Sequence, residues 1–149
     1  MEYVTLNNGV SVPKVGFGIF KIPKEDTVRA VLDAIEVGYR HFDTAQSYMN
    51  EEELGTAIRQ SGIPRKEFFI TTKVWLEHFG EGKTEKSLER SLKRLQTDYI
   101  DLVLLHQPFN DIYGAWRDLE KMYKADTLKA IGLSNFEPDR MLDLMMFND

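Results

Sequence analysis

The stretch Leu102-Val103-Leu104-Leu105, followed by His106-Gln107-Pro108, decides the fold class of this 149-residue chain. A continuous apolar run of this length is typical of a strand buried on both faces, and such strands occur in parallel sheets covered by helices. The polar residues and the proline that follow mark the end of the strand. The stretch therefore predicts an α/β protein built on a parallel sheet.

The same alternation of strand and helix continues on both sides of this stretch. Five strands are predicted, over Lys14 to Gly18, His41-Phe42, Phe68 to Thr72, Ile100 to Leu105 and Leu128 to Leu133. Helices are predicted after each strand from apolar residues at helical spacing: Val28, Val31, Leu32 and Ile35; the segment Glu51 to Gln60; Leu88, Leu92 and Leu95 after a Thr84 cap; Ala115, Leu119 and Met122; and Met141, Leu142 and Met145 after Pro138.

The first residues predict a β-hairpin that precedes these repeats. Asn7-Asn8-Gly9 stands between Tyr3-Val4-Thr5-Leu6 and Val10-Ser11-Val12, and Asn-Gly between β-type residues favours a tight hairpin turn.

Two architectures fit five strand–helix repeats: an open doubly wound sheet and a closed (β/α)₈ barrel. The first strand–helix turn reads Gly16-Phe17-Gly18, and Lys21 stands where a dinucleotide-binding fingerprint has its third glycine. The missing glycine argues slightly against the dinucleotide-binding fold, and two glycines needed for a tight turn explain the motif better than a binding site does.

Composition indicates one globular domain over residues 1–149, with 42% hydrophobic and 29% charged residues. With no Cys, the chain forms no disulfide and no thiolate zinc site, and we expect no metal site and a cytoplasmic location. We see no signal peptide and no apolar run of about 20 residues, so we expect no membrane association. A net charge of −5 argues against nucleic-acid binding.

Four titratable side chains stand at or just beyond the predicted strands: Asp43, Tyr48, Lys73 and His106. In a barrel of parallel strands, polar residues at the carboxyl ends of the strands converge on the mouth. A phenol has a pKa near 10, so it donates a proton well at neutral pH only beside a positive charge, and Lys73 is the predicted neighbour of Tyr48. A partly buried ammonium needs a carboxylate such as Asp43. Such a site suits delivery of a hydride to a carbonyl group, with His106 as a hydrogen-bond donor to its oxygen.

Each of these residues also has an ordinary structural explanation. Asp43 can cap the next helix, Lys73 can extend its ammonium to solvent, Tyr48 can be a half-buried loop aromatic, and His106 can bond a backbone carbonyl. Their shared location after consecutive strands is what favours a common site.

Taken together, several stretches resemble the aldo-keto reductase family, in particular its bacterial branch of 2,5-diketo-D-gluconate reductases and glyoxal reductases. The matching stretches are Gly38 to Ala45, Tyr48 with Asn50-Glu51, Thr71-Thr72-Lys73, Asp98 to Leu102, His106-Gln107-Pro108 and Ala130 to Phe136. The resemblance implies a (β/α)₈ TIM barrel that uses NADPH to reduce small aldehydes or ketones to alcohols. It implies that Asp43, Tyr48, Lys73 and His106 form the catalytic tetrad, with Tyr48 as the general acid.

The resemblance also assigns binding roles around this tetrad. The cofactor-binding residues it implies are Gly18, Ile19, Phe20, Asp43, Ser134 and Asn135. The substrate-binding residues it implies are Phe20, Tyr48, Trp75 and His106.

Family members have eight strand–helix units, whereas this chain has about five, so it is expected to form only the N-terminal part of a barrel. A five-stranded piece does not close, and its edge strands and helix faces stay exposed. We therefore expect self-association through the exposed barrel edges. The alternative function is a catalytically inactive half-barrel, or a module that binds cofactor or assembles into oligomers.

Overall fold

A parallel sheet of five strands forms the centre of the computed structural model, which describes residues 1–148. The strands of the sheet are β3 (Phe17–Gly18), β4 (His41–Asp43), β5 (Phe69–Val74), β6 (Leu102–Leu105) and β7 (Ile131–Leu133). Each strand from β4 to β7 pairs in parallel with the strand that precedes it in the chain. A doubly wound sheet reverses its strand order at a switch point, and none occurs here, so the strand order is that of a barrel.

The helices cover the sheet in the same order as the strands. They are α1 (Lys24–Glu36), α2 (Glu51–Gln60), α3 (Lys83–Leu95), α4 (Ile112–Lys124) and α5 (Pro138–Met146). Helix α1 packs against α2, α2 against α3, and α3 against α4. The core between sheet and helices includes the fully buried side chains of Phe42, Ile70 and Leu105, as the apolar pattern predicts.

Helices α2 and α3 approach each other closely at Gly55. A Cβ atom at Gly55 would lie 2.6 Å from the carbonyl oxygen of Arg94 and 2.6 Å from the carbonyl carbon of Leu95. These are backbone atoms that cannot rotate away, so the contact requires glycine.

The predicted hairpin is confirmed, and it docks at the far end of the sheet from the strand carboxyl ends. Its strands are β1 (Tyr3–Thr5) and β2 (Ser11–Pro13), which pair antiparallel. The Asn8 amide donates hydrogen bonds to the Lys129 carbonyl (3.0 Å) and to the Tyr123 hydroxyl (3.3 Å). The hairpin turn is therefore attached to the segment that leads from α4 into β7.

Three strands are shorter than the sequence predicts, and at two of them another group takes a backbone partner at the strand end. Lys14 donates its backbone N–H to the Glu2 carbonyl. Lys14 therefore extends the hairpin instead of beginning β3. The Asp101 carboxylate accepts the Ile70 N–H at 2.9 Å, so β6 begins only at Leu102. Leu128 is reduced to a single bridge with Ile100, and β7 begins at Ile131.

The prediction that Thr84 caps α3 is wrong. Thr84 lies inside the first turn, and its hydroxyl donates to the His78 carbonyl at 2.8 Å. The N-terminus of α3 is capped instead by the buried carboxylate of Asp118 in α4, which accepts from the N–H of Gly82 (3.0 Å) and of Glu85 (2.8 Å).

Helix α5 begins at Pro138 as predicted, and its Met141, Leu142 and Met145 side chains are exposed. Only Leu144 of this helix is buried against the core. Within residues 1–148, no helix is both long and apolar enough to cross a membrane.

Candidate active site

The four predicted catalytic side chains lie together at the carboxyl ends of consecutive strands. Asp43 is the last residue of β4, Lys73 is the penultimate residue of β5, and His106 directly follows β6. Tyr48 ends a 3₁₀ turn, Gln46–Tyr48, in the loop between β4 and α2. The parallel register of the strands thus produces the cluster that the sequence predicts.

Lys73 connects the cluster. Its ammonium group lies 2.6 Å from an Asp43 carboxylate oxygen, 3.0 Å from the Thr44 carbonyl and 3.4 Å from the Tyr48 hydroxyl. The Lys73 residue is 8% exposed, so these three oxygens take the place of water around its charge. A positive charge is therefore held beside the phenol.

His106 completes the cluster as an uncharged ring. Its ring meets the Tyr48 ring edge to face, with 5.8 Å between centroids. Burial lowers the pKa of His106 below its ordinary value, and the nearby Lys73 charge lowers it further, whereas Asp43 opposes this with a smaller effect. At neutral pH the imidazole therefore carries one N–H donor and no charge.

Two aromatic side chains flank the cluster. The Phe20 ring lies 4.8 Å from the Tyr48 ring, and the Trp75 ring lies 5.1 Å from the His106 ring. Phe20 is 59% exposed, so its face is available to a ligand. Both aromatic residues that the resemblance assigns to the substrate pocket, besides Tyr48 itself, therefore lie against members of the cluster.

The predicted cofactor residues fall into two groups. Ser134 and Asn135 follow β7, and the Asn135 amide donates to the His106 carbonyl (2.9 Å) and to the Ser134 hydroxyl oxygen (3.0 Å). Gly18 and Phe20 are exposed beside the cluster, whereas Ile19 is fully buried. The Ile19 backbone N–H donates to the Asp43 carbonyl, and the Ile19 carbonyl accepts from the Asn50 side chain. Ile19 therefore supports residues 18–20 from their buried side.

The polar atoms at this edge fit a ligand that carries a carboxamide. The Asn135 side-chain oxygen is a hydrogen-bond acceptor, and the Ser134 hydroxyl is a donor and acceptor. The buried His106 Nδ1 has no hydrogen-bond partner among residues 1–148. Hydrogen-bond donors and acceptors thus stand beside His106. In the same residues, His, Asp and Glu side chains do not gather in a group that would hold a metal ion.

Two amide side chains at the site were not predicted to have any role. Gln46 is buried and accepts the backbone N–H of Trp75 at 3.0 Å. Asn50 is buried and joins the Thr44 hydroxyl (2.9 Å) to the Ile19 carbonyl (3.0 Å). The signal in the sequence is the presence of two amides in the short loop that carries Tyr48, but their partners lie on distant segments.

The family profile of the aldo/keto reductases, described as "Aldo/keto reductase family", matches residues 14–146. The glyoxal reductase of Bacillus subtilis (strain 168) is 46% identical over 146 residues, which cover 97% of this chain and 53% of that protein. The chain thus spans about half the length of the curated relatives it matches.

Solved structures of the same family superimpose closely on this chain. An aldo/keto reductase from Brucella melitensis gives a TM-score of 0.95 at 40% identity, over 97% of this chain and 58% of that one. A Bombyx mori aldo-keto reductase, solved in complex with NADP, gives 0.93 at 30% identity, over 99% of this chain and 54% of that one. The strand order, the sequence match and these superpositions agree, and the chain belongs to the aldo/keto reductase family.

Proposed function

We propose that this protein reduces small aldehydes and ketones to alcohols with NADPH, and that Tyr48 is the general acid. The observation that carries the proposal is the position of the Lys73 ammonium, which contacts both the Asp43 carboxylate and the Tyr48 hydroxyl. The relatives support the same chemistry, since the similar Bacillus subtilis protein is a glyoxal reductase.

The proton transfer follows from the contacts of Lys73. Bound NADPH would supply the hydride that adds to the carbonyl carbon. Tyr48 donates its phenolic proton to the carbonyl oxygen, which becomes the hydroxyl of the alcohol. The phenolate that remains lies beside the Lys73 charge, and Asp43 holds that charge in place.

The neutral His106 ring orients the carbonyl group. An uncharged imidazole donates one N–H to the carbonyl oxygen and stabilises the negative charge that develops there. Phe20 and Trp75 bound the apolar part of the substrate and keep water from the reacting atoms.

The residues proposed to hold the cofactor stand on both sides of this group. Ser134 and Asn135 would bind the nicotinamide carboxamide, and Gly18, Phe20 and Asp43 would complete its site. Ile19 contributes by supporting Gly18 and Phe20, because its own side chain is fully buried.

For the protein's location, the cytoplasm stays our expectation.

The test is the loss of activity in Tyr48→Phe, which removes only the phenolic proton. We expect the wild-type chain to oxidise NADPH with glyoxal as substrate, and kcat to fall about 10²–10⁴-fold in the variant. NADPH consumption is followed by its absorbance.

Tyr39→Phe is the matched control. Tyr39 also loses a hydroxyl, but it precedes β4 at the opposite end of the sheet, and its ring packs against Phe17. We expect its kcat to stay within about twofold of wild type. Equal activity of the wild type and Tyr48→Phe would exclude Tyr48 as the acid.

A further inference from the structure

We propose that Gln46 is a positioning residue that fixes the Trp75 wall of the substrate pocket relative to Tyr48 and His106. The inference rests on the proposed function, because it treats the space beside Trp75 as the place where the substrate binds. By holding Trp75, Gln46 sets the width of the substrate pocket and hence the affinity for the substrate.

The Gln46 side chain makes three hydrogen bonds in a buried position. Its Oε1 accepts the Trp75 backbone N–H at 3.0 Å, and its Nε2 donates to the hydroxyl oxygens of Ser87 and Ser91, each at 3.1 Å. A backbone N–H only donates, so the atom that faces Trp75 must be the oxygen, and the amide orientation is settled by chemistry. Gln46 is 4% exposed, so water does not replace these bonds.

Trp75 needs this acceptor because it lies just beyond the end of β5. The last register pair of β5 with β6 is Val74 with Leu105, and Trp75 has no strand partner of its own. Its carbonyl starts the next 3₁₀ turn by accepting from the N–H of His78 at 2.9 Å. The N–H of Trp75 is thus directed to the Gln46 side chain rather than to backbone.

The other end of the Gln46 amide is attached to a rigid support. Ser87 and Ser91 are one helical turn apart on α3, and both are buried. The Ser91 hydroxyl also donates to the Glu51 carboxylate at 3.2 Å, and Glu51 accepts from Thr72 of β5 at 2.7 Å. The amide thus connects the pocket wall to α3 and, through Glu51, to α2 and β5.

Gln46 also belongs to the 3₁₀ turn that carries Tyr48. The proton donor and the Trp75 wall are therefore joined through one side chain rather than through two independent loops. Because the Trp75 ring packs on the His106 ring, a displacement of Trp75 also changes the space beside the hydrogen-bond donor to the carbonyl.

The experiment compares Gln46→Met and Gln46→Glu in a Trp116→Phe background, in which Trp75 is the only tryptophan. Methionine has a similar volume but no strong acceptor, and glutamate keeps an oxygen for the Trp75 N–H. For Gln46→Met we expect Trp75 emission to shift and hydrogen exchange of the Trp75 amide to rise about tenfold, as the loss of one hydrogen bond implies. For Gln46→Glu we expect exchange close to that of the parent.

Activity provides a second readout that a purely structural role would not produce. We expect KM for glyoxal to rise about tenfold in Gln46→Met while kcat stays within about twofold, because the acid and its charged neighbours are unchanged. Ser87→Ala is the control: it removes one acceptor of the amide and leaves the bond to Trp75, so Trp75 emission should not change.

Each outcome decides the inference. Unchanged Trp75 exchange and emission in Gln46→Met would overturn it, and so would equal changes in Ser87→Ala. If the parent chain does not reduce glyoxal, the proposed function fails, but the Trp75 exchange and emission measurements still decide whether Gln46 positions Trp75.

Discussion

Lys73 and His106 are both neighbours of Tyr48, but Lys73 is held charged whereas His106 stays neutral. Lys73 is surrounded by oxygen atoms, including the Asp43 carboxylate at 2.6 Å. His106 has the Lys73 charge and apolar ring surfaces around it, and its pKa is lowered mainly by burial. Lys73 thus places a positive charge beside the Tyr48 phenol, whereas His106 stays a neutral hydrogen-bond donor.

The lowered pKa of His106 predicts how the protein responds to acid. Between the folded and the ordinary pKa, the unfolded state binds more protons at this ring, so stability rises with pH there and is lost as pH falls below about 6.5. We expect the His106 ring signal in an NMR titration to change below pH 6.5, with assignment from a His106→Gln spectrum. A His106 pKa at or above 6.5 would contradict this. His78, whose pKa burial also lowers, must be assigned separately with His78→Gln.

The sequence predicted the titratable residues of the site but not the amides that hold them. Asp43, Lys73 and His106 could be predicted because each stands at or near the end of an apolar strand, and strand ends converge in a parallel sheet. The role of Gln46 depends on Ser87 and Ser91, which lie 41 and 45 residues further along the chain. That contact exists only after α3 packs on the sheet, so no local pattern reports it.

Among the elements, helix α3 depends on its neighbour for its N-terminal cap. Asp118→Ala removes the acceptor of two backbone N–H groups, Gly82 and Glu85, and Asp118 is 3% exposed. We expect the free energy of unfolding in urea to fall by about 1–3 kcal/mol. Asp33→Ala is the control, because Asp33 is exposed and its carboxylate pairs with Arg29 one turn away. Equal losses in the two variants would rule out the cap.

The helix boundaries were predicted more closely than the strand boundaries, for a physical reason. Helix α2 runs from Glu51 to Gln60 as predicted, since a helix bonds within itself. A strand ends where another group bonds to the backbone of the neighbouring strand. At the start of β6, the Asp101 carboxylate accepts the N–H of Ile70 in β5. A search for apolar runs does not detect a contact between a side chain and a distant backbone group.

At the scale of the whole molecule, the sheet has two edges, β3 and β7, that pair on one side only within residues 1–148. Exposed strand edges promote pairing between chains. Helix α5, which follows β7 in the chain, adds an apolar surface, with Leu142 57% and Met145 65% exposed. We propose that a second copy of this chain covers this side.

Sedimentation velocity over a range of concentrations tests this self-association. We expect the sedimentation coefficient of the wild type to rise with concentration, and a Leu142→Glu/Met145→Glu variant to remain monomeric, since charge opposes burial of that surface. Val37→Glu is the control, because Val37 is 77% exposed after α1 and distant in sequence from α5. A wild type that is monomeric at every concentration would contradict the proposal.

The strand order also implies a sequence of events during synthesis. Every strand pairs with its predecessor, so each unit that leaves the ribosome meets a surface that already exists. The hairpin is the exception, because Asn8 bonds to Lys129, which is made 121 residues later. The hairpin turn is therefore made early and docks late. Nascent chains halted before Lys129 should be cut by protease in the hairpin while α1 and α2 are already protected.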